Sequence, residues 1–154
     1  MGAVFFYHLT RTPLEATLPM LLGKARAAGW RVLLRGRDGA RMEWLDQQLW
    51  LGAEDGFLPH GLAGGARDAA QPVLLTTAAG MPYPVSCLMA VDGAEVSVKE
   101  VNGLERVCIL FDGNVAEALD NARLQWKTLT DSGCSAQYWS ERSGKWKKKE
   151  KIAR

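Results

Sequence analysis

Five apolar runs punctuate the chain: Ala3–Tyr7, Arg31–Arg35, Pro72–Thr76, Pro84–Val91 and Arg106–Phe111. They are continuous rather than alternating, which suits strands buried on both faces. Between the first two, Thr12-Pro13-Leu14-Glu15 reads as a helix start, with Thr12 as cap, Pro13 in the first turn and Glu15 completing a capping box. Leu14, Leu18, Leu21, Leu22, Ala25 and Ala28 then share one helical face, and Gly29 ends the helix. Pro19 predicts a kink or a later start. Gly36-Arg37-Asp38-Gly39 turns into a second helix over Ala40–Trp50, with Met42, Leu45 and Leu49 on its inner side. A strand-helix-strand-helix opening predicts an α/β domain with a mainly parallel sheet, five-stranded or larger and mixed, flanked by helices.

From Leu51 to Gln71 the pattern lapses. Phe57-Leu58-Pro59-His60-Gly61 and Gly64-Gly65 mark a long irregular connection, of the length usually reserved for function or mobility. Ser97–Gly103 predicts a short helix or turn. The best-patterned stretch is Phe111–Lys127. It predicts the end of a buried strand, an Asp112-Gly113-Asn114 turn with Asn114 as cap, and an amphipathic helix running to about Thr130. Val115, Leu119, Ala122, Trp126 and Leu129 form its apolar stripe, and Arg123 and Lys127 lie one turn apart on the flank. Such a stripe is most often core beside solvated cations. The alternative is a site for something both greasy and anionic. Ala136–Ser140 alternates weakly, Ser143-Gly144 is a turn, and Lys145-Trp146-Lys147 has the makings of a short hairpin. The division expected is a folded domain over 1–146 and a disordered basic tail over 147–154.

Composition narrows the function. The 154 residues are 47% hydrophobic and 23% charged, ordinary for a soluble globular protein, and form one domain. A net charge of +2 is too weak to imply nucleic-acid binding, although Lys145, Lys147, Lys148, Lys149, Lys151 and Arg154 crowd the end. There is no apolar run of about 18 residues, so no membrane span is expected. MGAVFFYHLT lacks the basic region of an export signal. Cys87, Cys108 and Cys134 read as reduced and structural, in a cytoplasmic protein. No stretch matches a phosphate-binding loop, so no nucleotide cofactor is implied. Neither His8 nor His60 sits near a nucleophile elbow or a metal-ligand spacing. Asp112 follows a strand but reads as a turn former. No catalytic residue, cofactor or metal is assigned.

Phe6-Tyr7, Leu45-Asp46 with Leu49-Trp50, Phe57-Leu58-Pro59-His60-Gly61, Gln71-Pro72-Val73, Phe111-Asp112-Gly113, Ala122-Arg123 with Trp126-Lys127, and Tyr138-Trp139 occur in an order and spacing that resemble the chi subunit of bacterial DNA polymerase III. The resemblance covers nearly the whole chain. It implies a Rossmann-like fold without a nucleotide site, and a non-catalytic accessory subunit of the clamp loader. Implied partners are the psi subunit, the acidic C-terminal tail of single-stranded DNA-binding protein, and in some bacteria an XPD-type helicase. Contact with DNA would be indirect or weak.

By the same resemblance, Arg123 clamps the tail's terminal carboxylate and Trp126, with Leu119, walls a pocket for its final Phe. Lys127 meets the acidic residues. Trp50 adds an aromatic surface or else packs on the sheet. Phe57, Leu58, Pro59 and His60 correspond to the psi- or helicase-contacting surface; the alternative for Phe57 is that it folds inward and pins the loop. Two other readings compete: a small α/β enzyme or nucleotide binder, and a protein that binds DNA directly through its lysines.

Overall fold

The computed structural model describes residues 3–9, 13–51, 60–62, 72–77, 85–140 and 147–152, with backbone only at 50, 51 and 147–152. β1 (Ala3–Leu9), α1 (Leu14–Ala27), β2 (Val32–Arg35) and α2 (Gly39–Leu51) follow the expected opening. Then come β3 (Gly61–Leu62), β4 (Val73–Thr76), β5 (Cys87–Ala90), α3 (Val98–Gly103), β6 (Arg106–Asp112), α4 (Ala116–Asp131), β7 (Ser135–Ser140) and β8 (Lys147–Ile152). The strands form one sheet in the order β3-β4-β2-β5-β6-β1-β7-β8. Seven run parallel, and β8 joins β7 antiparallel.

Successive strand residues face opposite sides, and both sides are covered, which explains the continuous apolar runs. Tyr7, Leu9, Val32, Leu34, Val73, Leu75, Met89 and Leu110 pack with α1 and α2 on one face. Val4, Phe6, Leu33, Leu74, Leu88, Ile109 and Phe111 pack with α3 and α4 on the other. The three cysteines are buried and free. A hydrogen bond from Cys87, with burial, holds the Cys108 thiol well above its usual pKa.

Several local expectations change. Pro13 occupies the N-cap position of α1 and makes no side-chain cap, so the helix begins one residue later than Thr12-Pro13 suggested; Thr12 lies outside the described residues. Pro19 does not divide the helix, which runs unbroken through it while burying Leu14, Thr17, Leu18, Leu21, Leu22 and Ala25. Burial of about 1.5–3 kcal/mol for each large side chain outweighs the roughly 3 kcal/mol of an internal proline. The capping box instead starts α3, where Ser97 Oγ accepts from the Glu100 N–H at 3.1 Å and Glu100 Oε1 accepts from the Ser97 N–H at 3.0 Å.

Disorder was expected over 147–154, but Lys147–Ile152 forms β8, because a strand can pair by its backbone whatever its side chains. Its partner β7, signalled only weakly by its alternation, lies fully within the sheet beside β1.

Arg35, at the end of β2, is buried and forks onto Glu100 of α3, with Nη1–Oε1 at 3.0 Å and Nη2–Oε2 at 2.7 Å. Burial alone would raise the Glu100 pKa; the bonds from Arg35 and Ser97 outweigh it and hold the carboxyl below its usual value. The stability this pair contributes is present above the ordinary glutamate pKa of about 4.3 and is lost as pH falls through the lower folded value. Acid unfolding below about pH 4.5 should therefore be shallower in Glu100→Gln than in the parent. Equal acid limbs would contradict the assignment.

Candidate functional site

β6 delivers its last apolar residue, Phe111, to the face that α4 covers. The turn that follows is built by Asp112, whose Oδ1 accepts from the Asn114 N–H at 2.9 Å. Asp112 thus has the turn role expected of it. Asn114 is not the cap: Val115 occupies that position without a side-chain cap, and it is 46% exposed because it precedes the helical spiral on which it was placed. From Ala116 onward the expected stripe holds. Ala122 and Leu129 are buried, while Leu119 and Trp126 are half-buried.

A concavity of about 170 Å3 opens beside this stripe, lined by Phe111, Leu119, Ala122, Arg123, Trp126 and Tyr138. Its size is close to the ~150 Å3 that accommodates a benzene ring in an apolar cavity. Trp126 meets its aromatic neighbours edge to face, the geometry ring quadrupoles favour, and Tyr138 and Phe111 are tilted against each other. Trp126 meets Phe6 at 5.2 Å and Tyr138 at 6.0 Å between centroids, and Tyr138 meets Phe111 at 6.2 Å.

At the rim stands Arg123, its side chain 75% exposed, with only a 3.8 Å approach to Asp120. Lys127 is equally exposed and meets Asp131 at 3.1 Å. Neither cation is consumed in a buried structural pair; Arg123 is presented to solvent at the apolar hole, and Lys127 one turn further along α4. The arrangement suits a ligand with an aromatic group next to a carboxylate and further negative charge nearby.

Three of the expected residues, Leu119, Arg123 and Trp126, are thus brought together, and Lys127 stands one turn along α4 from Arg123 without lining the concavity. Trp50 is not among them. It lies on α2, which packs on the opposite face of the sheet from α4. Parallel crossovers place helices on either face, and periodicity does not say which. His60 is also not a surface contact. It is 3% exposed, and its Nε2 lies 3.0 Å from the Asp46 backbone oxygen and 3.3 Å from Asp46 Oδ1, joining the start of β3 to α2. Phe57, Leu58 and Pro59 lie outside the described residues.

Phe111, Ala122 and Tyr138 complete the pocket without having been singled out for it. The available signal was parity. Phe6 pairs in register with Ile109 and Tyr138, so alternate residues of three neighbouring strands face α4.

A larger cleft, of about 1110 Å3, lies at the carboxyl ends of the strands, where Leu9, Arg35 and Asp112 line it. β1 and β6 are neighbours whose following helices cover opposite faces, so this is where open α/β sheets hold ligands. Here two of its three arginines meet protein carboxylates: Arg35 forks onto Glu100, and Arg41 Nε lies 3.1 Å from Asp92. The Asp92-Gly93 turn, with φ of 54° and 82°, is tied to α4 by Asn121 Nδ2 donating to the Gly93 oxygen at 3.2 Å. Among the described residues no cluster of metal-ligating side chains occurs, and no helix is long and apolar enough to cross a membrane.

A search of curated proteins finds no match. Comparison with protein families matches residues 1–137 to the family described as DNA polymerase III chi subunit, HolC. The match spans every element through β6 and α4 and stops within β7. The chain belongs to the DNA polymerase III chi subunit family, and is thus an accessory subunit of the replicative polymerase.

Proposed function

We propose that this chain is a non-catalytic, cytoplasmic replisome adaptor. It holds the acidic C-terminal tail of single-stranded DNA-binding protein at the α4 pocket and joins that protein to the clamp loader through the psi subunit. The observation that carries the reading is an exposed arginine, Arg123, at the rim of an aromatic-walled hole sized for one ring. The tail ends in a phenylalanine that bears the terminal carboxylate. Its ring would enter between Trp126, Tyr138 and Leu119, and the planar guanidinium of Arg123 would fork onto the carboxylate. Lys127 would attract the acidic residues upstream. Phe57, Leu58 and Pro59 remain the proposed contact for psi or for an XPD-type helicase, since interface energy concentrates in a few large apolar residues of this kind. Family membership supports the partners, and the pocket supports the tail.

The test is co-sedimentation with single-stranded DNA coated by its binding protein. The chain should travel with coated DNA, be released when the coat protein lacks its C-terminal residues, and stay behind with naked DNA. Co-sedimentation that persists without the tail would contradict the reading.

The two acids beside the cations give a further expectation. Asp131→Asn removes the partner of Lys127 and one negative charge from the rim. Tail affinity should rise by roughly two- to threefold at low salt and return to the parent value at high salt, because exposed charges are screened. A weaker affinity would mean that Lys127 is held in its useful position by Asp131.

A further inference from the structure

Behind the pocket lies a residue that does not line it. His8, on β1, stacks on Phe111 with centroids 5.1 Å apart and planes inclined by 29°. Its Nδ1 is hydrogen-bonded to the Tyr138 hydroxyl at 2.5 Å, and the two rings meet edge to face at 5.8 Å and 84°. On its far side the imidazole abuts the turn before α4. A Cβ added at Gly113 would lie 1.8 Å from Nε2, and the Gly113 N–H donates to the Leu9 oxygen at 2.6 Å. His8 is therefore wedged between the turn and two pocket walls, Phe111 and Tyr138. It touches both and fixes one by a hydrogen bond.

Tyr138 has reason to need this. Its β7 backbone is only one strand from the sheet edge, and its ring is half-buried. Loss of the hydroxyl bond removes one restraint on rotation of the ring about its side-chain bonds, and a rotated ring changes the width of the slot between it and Trp126. A histidine at position 8 also dictates glycine at position 113, since any side chain there displaces the imidazole.

We infer that His8 is a positioning residue which, through the Tyr138 hydroxyl, sets the pocket to prefer a flat aromatic terminal side chain over a branched aliphatic one. The inference rests on the reading that the pocket receives the last side chain of an acidic tail. His8 acts on the shape of the slot and contributes no contact to the ligand.

The experiment titrates the full chain with three peptides that share an acidic sequence and end in Phe, in Leu, or one residue short. The parent should bind the Phe peptide best. His8→Ala and Tyr138→Phe should each lose about two- to tenfold of that affinity, the worth of one hydrogen bond, and lose most of the preference for Phe over Leu. Affinity for the shortened peptide should not change. The double variant should bind no worse than either single one, because both remove the same link. Gly113→Ala, which leaves both residues in place but pushes the imidazole aside, should show the same loss of preference. Tyr138→Phe removes one oxygen atom and keeps the fold, so the test does not depend on the stability of His8→Ala.

Variants that keep the parent's Phe preference, or effects that add in the double variant, would overturn the role of His8. A parent that fails to distinguish the Phe peptide from the shortened one would instead overturn the reading of the pocket itself.

Discussion

Replacing Arg123 by alanine is expected to weaken tail binding by roughly 10- to 150-fold and to leave the fold untouched. The two halves of this expectation have separate causes. The side chain is 75% exposed and approaches one acid, Asp120, at 3.8 Å, so the folded state loses little. Exposed substitutions of this kind stay within about 0.5 kcal/mol. The bound state loses a charge-assisted fork onto a carboxylate, worth about 1.5–3 kcal/mol, or roughly 10- to 150-fold in affinity. Arg123→Lys should recover only part of it, since an ammonium keeps the charge but not the planar pair of donors. Thermal unfolding alongside peptide titration checks both halves. Full affinity in Arg123→Ala would remove this residue from the site.

Arg35→Ala is expected to have the largest effect on stability. The Arg35 side chain is 5% exposed and its partner Glu100 is 16% exposed. Its Nη1 also donates to the Glu95 oxygen at 3.1 Å, so one guanidinium ties the end of β2 to α3 and to the segment before it. Truncation leaves Glu100 charged and largely out of water. Breaking a buried pair from one side costs about 3–5 kcal/mol, and the residual exposure of Glu100 brings this to roughly 2–4. Against a typical total of about 5–15 kcal/mol this is a large share. The urea midpoint should fall accordingly. Arg35→Ala/Glu100→Ala should be less destabilised than the single Arg35 variant, because no charge is then stranded. An unchanged midpoint in Arg35→Ala would show that the pair contributes nothing net.

The sheet was legible because both of its faces are buried. Runs such as Val107–Phe111 have no polar alternation to confuse their reading, and their length separates them from helices. β3 was not legible, since two residues leave no pattern, and β8 was hidden by lysines that argue for solvent rather than for a strand.

At the site, the α4 residues were visible because helical spacing puts Leu119, Ala122, Arg123 and Trp126 on one side. The other wall was not, because Phe111 and Tyr138 come from strands whose adjacency only the sheet order reveals. The same limit explains Trp50: its helix carries the expected stripe but covers the other face. His60 illustrates a different one. A histidine in a loop reads as exposed until its partner, Asp46 on the preceding helix, is seen.

The measurement closest to the central claim is a calorimetric titration of the chain with a peptide copying the acidic tail, run beside the same peptide lacking its final Phe. Binding should be saturable and one-to-one at low salt and should weaken at least tenfold when the Phe is removed, because the terminal ring and its carboxylate occupy the Trp126–Tyr138 slot and Arg123 together. Equal binding of the two peptides would mean that charge alone attracts the tail. No binding of either would place the function of this chain elsewhere than at α4.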